Sequence, residues 1–411
     1  MLTTIAWHSI KSRRKTVLLT FLSLVVSISV LISVEHIRLQ AKESFNRTIS
    51  GVDLIVGAPS GELNLLLYSI FRMGSPTNNI DYDSFKMLKS NQSVAWAIPI
   101  SLGDSHRGFR VMGTNTDYFK YFKYGSDKPL TMAAGKGFSG PFETVIGSDV
   151  AKELGYQQGD KIVIAHGIGS TSFVNHDQAP FTISGILEAT GTPVDKTVHV
   201  SLAAIDAIHL PPSQLKQLLD NPEQGLAPPK SITALMLGLN NKFATFTLQR
   251  QINNYKQDRL MAVLPGVAMA QLWQLMANVE NLLQVIGYLV LLASLFGLAT
   301  MLLATMNERQ REIAVFRILG ASPLVIVSLI VLEALIISVL ALVFSVGLVT
   351  LVLTFLEGWL TAEYGLFLSN NLLTMELLTL SGIIVIATII TALIPGLEAY
   401  KNAIHTQLSG R

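Results

Sequence analysis

Residues 16–34 read TVLLTFLSLVVSISVLISV, a run without a charge, preceded by Lys11, Arg13, Arg14 and Lys15 and followed by Glu35, His36, Ile37 and Arg38. About 20 apolar residues, each rising about 1.5 Å along a helix, cross the roughly 30 Å hydrocarbon core of a bilayer, so the run is long enough to span one. A cleaved signal peptide shares the basic start, but its apolar region is shorter and ends at a small-residue cleavage site. Here the text continues into charged residues with no such site, and the segment reads as an uncleaved anchor.

Three further apolar runs follow, at 282–306, 324–356 and 377–397. The second is uncharged, the third is interrupted within its apolar stretch only by Glu333, and the fourth has Pro395 near its exit. Of the 411 residues 50% are hydrophobic and 14% charged, and the mean hydropathy is +0.46. That balance suits a membrane protein better than a soluble chain of this length. The formal net charge is +2, with no basic stripe interleaved with aromatics, which excludes nucleic acid as a natural partner. The absence of cysteine removes disulfides, thiol nucleophiles and thiolate metal sites.

Basic residues in short flanks set the orientation. The N-terminal flank carries the four named above, 307–322 carries Arg309, Arg311 and Arg317, and the tail 398–411 carries Lys401 and Arg411. The connection 357–376 has Glu357, Glu363 and Glu376 but no Lys or Arg. Four spans with both termini inside satisfy all of these, with 1–15 in the cytoplasm and 35–281 outside it. Alternating stretches such as Phe181 to Leu187 and Lys161 to Ile164 predict strands there. Helical pieces at Asp149–Leu154 and Gln214–Asp220 make the outer domain α+β. Residues 211–230, with five prolines, predict an exposed loop or a boundary between lobes. From Lys256 to Glu280, Met261, Leu264, Ala268, Leu272, Leu275 and Val279 recur at helical spacing, predicting a stalk helix that enters the second span. Pro265 and Gly266 are its weak point and a possible true start. Residues 35–50 would be its partner, extending the first span outward.

A search for chemistry finds no catalytic set. The nearest text to a phosphate loop, Gly135-Lys136-Gly137, lacks both the spacing and the hydroxyl residue, so this chain does not read as a nucleotide hydrolase. His106, His166, His176, His199 and His209 fall in the outer domain, with Asp177 beside His176. Imidazole is a common zinc ligand, so His166, His176, Asp177, His199 and His209 define a minor metal reading against ordinary structural use. Glu333 is the intramembrane carboxylate, read as a functional group or as a polar contact between helices.

The segment 307–322, NERQREIAVFRILGAS, is the most informative. Ile313, Phe316 and Leu319 share one helical face, Glu308, Arg309, Arg311 and Glu312 crowd the first turns, and Gly320 opens the stop. A plain loop needs neither the apolar face nor the stop, so the segment reads as a docking element between two spans.

These residues resemble the cytoplasmic coupling segment of the FtsX-like and MacB-like permeases of ABC transporters, a family that includes the lipoprotein-releasing permeases. Residues 6–15, AWHSIKSRRK, resemble the family's amphipathic first helix, and 394–400, IPGLEAY, its proline-marked exit. Residues 147–155, GSDVAKELG, followed by Gly159-Asp160, are similar to its periplasmic core. The resemblance implies four spans and a MacB-like periplasmic domain in the inner membrane. It also implies a separate cytoplasmic ABC ATPase in two copies that supplies ATP and Mg, and a second permease copy or homologue. The contacts to that ATPase would be Glu308, Arg309, Arg311, Glu312, Ile313, Phe316, Arg317, Leu319 and Gly320. No cofactor is expected on this chain itself, apart from zinc under the metal reading. The expected function is mechanotransmission to a substrate at the periplasmic side, a lipoprotein, peptide or other amphiphile. The alternatives are a non-transporting, FtsX-like regulator of a periplasmic protein and zinc handling. A membrane enzyme is the weakest reading.

Overall fold

A computed structural model describes residues 6, 8–11, 13–167, 178–220, 226–304, 315, 320–364, 372 and 374–408. The chain divides into two compact units, one of residues 1–40, 277–359 and 368–411, the other of residues 41–276 and 360–367.

Four long helices carry the apolar runs: α1 (Arg14–Arg47), α2 (Pro265–Ala304), α3 (Pro323–Tyr364) and α4 (Met375–Leu408). Each contains a window apolar and long enough to cross a membrane. Leu19, Leu289, Phe344 and Ile390 are among the large apolar side chains left exposed on them, as a lipid-facing surface requires. Pro395 does not end α4, which continues to Leu408. Proline is tolerated within a span when neighbouring groups re-satisfy the freed backbone.

In the second unit, nine strands form one path: β1 (Leu54–Gly57), β2 (Val94–His106), β3 (Phe109–Thr114), β4 (Met132–Gly135), β5 (Glu143–Ile146), β6 (Phe181–Leu187), β7 (Thr197–Ser201), β8 (Ala234–Leu239) and β9 (Met261–Val263). Their order is β9-β1-β8-β2-β3-β7-β5-β6-β4, with two short strands, Lys161–Ile162 and Ala165–His166, attached to β6 and β2. The neighbours β3/β7 and β5/β6 are parallel and the other pairs antiparallel.

Successive side chains of a strand point to opposite faces. On β1, Leu54 and Val56 enter one buried cluster and Ile55 another; on β8, Leu235 and Leu237 join the first, and Ala234 and Met236 the second. Both faces are therefore covered, which is why these strands read as continuous apolar runs and not as alternation. The helices Tyr82–Lys89 and Thr245–Asn253 cover one face with Phe85, Leu88, Leu248 and Ile252. Leu65 and Leu66 of the helix Glu62–Ser69 contribute to the other. A third cluster, around Phe181, Val198 and Val200, forms the core of the β3–β7–β5–β6 half. The 13-residue β2 serves both halves: Val94 to Ile100 pair with β8, and Ser101 to His106 with β3, across a register shift between Leu102 and Ser105. Its hairpin to β3 turns on Arg107 (φ 47°) and Gly108 (φ 91°), the two positive φ values a type I′ turn requires.

The stalk helix is shorter than expected. Residues 261–263 pair with β1, and the helix begins at Pro265. Proline suits a first helical position because its missing N–H would have had no partner there. The strand expected over 161–164 is confined to Lys161–Ile162. Part of the proline-rich stretch 211–230 is helical, Pro212–Asp220.

Candidate coupling site

The segment expected to dock a partner, 307–322, lies between α2 and α3 in the sequence. Of the residues expected to touch a partner, Glu308, Arg309, Arg311, Glu312, Ile313, Phe316, Arg317 and Leu319 fall outside the described residues, and Gly320 is described. Val315 is helical and 55% exposed. Gly320 has φ +88°, a left-handed conformation that a side chain would oppose by about 1–2 kcal/mol. Two residues later the Ser322 carbonyl accepts the Val325 N–H at 3.0 Å, starting α3. Gly320 is thus followed within three residues by the start of α3.

α1 and α2 are bonded to each other by two polar clusters. Deep in the apolar stretch, the Ser27 and Ser294 hydroxyls are 2.5 Å apart, and Ser23 and Ser294 3.2 Å. Nearby, Ser345 Oγ of α3 donates to the Val25 carbonyl at 2.9 Å. A Cβ on Gly287 would stand 2.7 Å from Leu31 Cδ1, so the glycine admits close approach of the two helices. Small and hydroxyl residues are the expected cement between helices in lipid, where burying apolar surface drives little. Beyond Val34, Arg38 bonds Glu35 at 2.5 Å and lies 3.6 Å from Glu280 of α2. The other Glu35 oxygen accepts from Gln284 at 2.9 Å. Further out, the Phe45 ring of α1 lies 5.7 Å from Trp273 of α2, edge to face. Replacing Ser294 by leucine overfills the hydroxyl contact and is expected to cost about 1–3 kcal/mol. Ser294→Ala should cost about 0.6 kcal/mol. Thermal unfolding of the detergent-solubilised chain would rank the two.

Glu333 is 2% exposed on α3, so it is turned into the bundle and away from lipid. On the same helix Ser338 accepts a hydrogen bond from Thr388 of α4 at 2.9 Å.

The expected metal residues are not brought together among the described residues, where no group of three His, Asp or Glu side chains converges. His176 and Asp177 and the side chain of His166 lie outside the description. His209 is exposed, its Nδ1 2.6 Å from the Ile205 carbonyl within its own helical turn. His199 is fully buried on β7, its ring 5.2 Å from Tyr118 and 5.9 Å from Phe119. Burial, with the Arg72 guanidinium nearby, pushes its pKa down to about 3. Burial likewise pushes the Tyr118 phenol up to about 12. The neutral imidazole can donate from Nδ1 to the Val145 carbonyl at 3.2 Å. An unfolded chain protonates this histidine below the ordinary value near 6.5, whereas the folded domain resists protonation down to about 3. Stability held above pH 6.5 is therefore lost progressively as pH falls toward 3. His199→Phe should flatten that acid limb in a pH series of thermal unfolding midpoints.

Sequence reading expected residues 35–50 to partner the stalk helix, as Arg38 and Phe45 do against Glu280 and Trp273, but missed the serine contacts within the spans. The four-residue spacing of Ser23 and Ser27 in an apolar run was the available signal.

Comparison with known proteins matches residues 17–255 to the MacB-like periplasmic core domain and residues 284–404 to the FtsX-like permease C-terminal domain. Among solved structures, the periplasmic region of MacB from Actinobacillus actinomycetemcomitans is similar at 10% identity and a TM-score of 0.35, covering 55% of this chain and 94% of that one. A search of curated proteins finds no match. The two families cover a core domain followed by a permease region, and the chain belongs to the MacB-like and FtsX-like ABC permease family.

Proposed function

We propose that this chain is the membrane subunit of an ABC machine that moves or releases a substrate at the periplasmic side without carrying it through a hydrophilic pore. A separate cytoplasmic ATPase, in two copies, holds ATP and Mg and binds residues 307–322. A second permease, identical or homologous, completes the assembly, and both termini lie in the cytoplasm. Closure of the ATPase moves the coupling segment, α2 follows it, and the periplasmic domain changes position against its substrate, a lipoprotein, peptide or other amphiphile. The chain itself does no bond chemistry.

The observation that carries this reading is the continuity of α2. From Pro265 to Ala304 it is one helix of 40 residues, about 60 Å at about 1.5 Å per residue, roughly twice what a crossing needs. The hydroxyls at Ser27, Ser294, Ser338 and Thr388 are engaged from helix to helix. Such use favours transmission of movement over conduction of a hydrophilic solute. Reconstitution with the cognate ABC ATPase tests the proposal. The tagged permease should retain the ATPase through purification and raise its hydrolysis rate in proteoliposomes; a permease that does neither removes the reading.

A further inference from the structure

A cavity of about 120 Å³ lies between α1, α2 and α4. It sits where α1 leaves its apolar run at Glu35, α2 enters its own near Gln284 and α4 begins at Met375. With both termini in the cytoplasm this is the level of the outer-leaflet headgroups. Leu31, Val34, Leu380 and Ile383 form its apolar wall. Ile383 is also 49% exposed and heads a stripe with the exposed Ile386 and Ile390 along α4, so the wall runs on into lipid-facing surface. At roughly 30 Å³ per water the volume holds about four waters, which is the size of an ethanolamine group.

The polar lining consists mainly of acceptors. Glu35 and Glu376 are both part of it, and no basic residue is. Glu35 receives Arg38 at 2.5 Å on one oxygen and Gln284 at 2.9 Å on the other, and Arg38 also lies 3.6 Å from Glu280. Among the described residues no cation pairs with the Glu376 carboxylate. The Thr379 hydroxyl, also in the lining, donates to the Glu376 carbonyl at 2.7 Å, which leaves its oxygen an acceptor. Two carboxylates on one small cavity repel each other unless a cation comes between them. The site therefore favours a cation that brings several N–H donors.

We propose that this cavity binds the primary ammonium of an ethanolamine phospholipid, with its N–H groups directed to Glu376, Glu35 and Thr379 and an acyl chain lying along Ile383, Ile386 and Ile390. A primary ammonium offers three donors at one point. The quaternary nitrogen of a choline lipid carries the charge but no N–H. A phosphoglycerol headgroup brings negative charge to a lining that already holds two carboxylates. The Tyr288 hydroxyl, in the lining as well, is a donor for the lipid phosphate, and tyrosine is enriched at this depth of a bilayer. A free amine would satisfy the carboxylates but leave the apolar wall and its stripe uncovered. The lipid would tie α4 to α1 through carboxylates that otherwise repel. The proposal goes beyond the permease reading. Its test uses neither ATPase nor substrate, so failure here leaves the coupling assignment standing.

The full-length protein, stripped of lipid in detergent, is titrated with dioleoyl phosphatidylethanolamine, phosphatidylcholine and phosphatidylglycerol, and lipid-bound species are counted by native mass spectrometry. The parent should hold the first ethanolamine lipid about tenfold more tightly than either other lipid, the ordinary weight of one charge-assisted hydrogen bond. Glu376→Gln keeps the shape and removes the charge, whereas Thr379→Phe keeps the charge and fills the cavity. Each variant, at the elution volume of the parent, should lose the preference. Glu398→Gln, on an exposed carboxylate near the other end of α4, should keep it. No preference for the ethanolamine lipid over the choline lipid in the parent overturns the proposal. A preference that survives in either cavity variant, or that Glu398→Gln abolishes as well, also overturns it. Displacement of the bound lipid by an equimolar amount of free ethanolamine overturns the part given to the acyl chain.

Discussion

Replacing Glu308 and Arg309 together by alanine is expected to remove most of the stimulation of the ATPase by the permease while leaving the protein inserted. The two charges stand at the start of an amphipathic segment, and the proposed partner closes over that segment. Truncating one side of a buried charged contact costs about 2–5 kcal/mol, largely because the other charge is left without its countercharge. Even about 2 kcal/mol corresponds to roughly a thirtyfold loss of coupling. The membrane fraction should contain the variant at normal abundance, since neither residue lies in an apolar run. Hydrolysis rates in proteoliposomes, with and without the permease, give the answer. Undiminished stimulation would remove residues 307–322 from the proposed interface.

The second large effect is expected from Leu275→Pro. Leu275 is 59% exposed on α2, so the substitution removes little packing and acts on the backbone. Proline there deletes the hydrogen bond to the residue 271 carbonyl and drives its ring against it, at a cost of about 3 kcal/mol and with a kink. Position 275 lies between the Trp273 contact with Phe45 and the Glu280 contact with Arg38. If α2 transmits movement, the variant should bind the ATPase and still be stimulated, yet lose the ATP-dependent movement of the domain. Spin labels on Gln251→Cys of the two permease copies would report that movement as a distance change. Leu275→Ala is the control and should behave as the parent. A proline variant with an unchanged ATP response would show that movement reaches the domain by another route.

The spans were legible because hydropathy is a property of composition over about 20 residues, and nothing in 16–34 or 282–306 competes with it. The outer domain was legible only in part. Phe181 to Leu187 reads as a strand and is one, whereas Met261 to Val263 fits two patterns. Met261, Leu264 and Ala268 recur at helical spacing, but Ala262 and Val263 take register with Val56 and Ile55. Only Pro265 told the two apart, because proline begins helices and does not continue them.

The candidate site divided along the same line. The segment read as a docking element is set apart by a local pattern of charges and apolar residues. The Ser23, Ser27 and Ser294 contact joins positions as much as 271 residues apart through side chains that hydropathy scores as nearly neutral. His199 stands in Thr-Val-His-Val-Ser, where alternation predicts a strand but cannot say that the histidine face is also covered; Tyr118 and Phe119 cover it.

Only Leu264 separates β9 from the first residue of α2, and β9 is held to the sheet by three paired positions, Ile55 with Val263, Val56 with Ala262 and Gly57 with Met261. Tension drawn along α2 arrives at an edge strand, and a ladder of three rungs has little reserve before it opens. Under the proposed mechanism, such an arrangement would set a ceiling on the force delivered to the domain. Above it β9 would detach before the deeper strands β1 and β8 gave way, so the junction would act as a mechanical fuse that spares the rest of the domain.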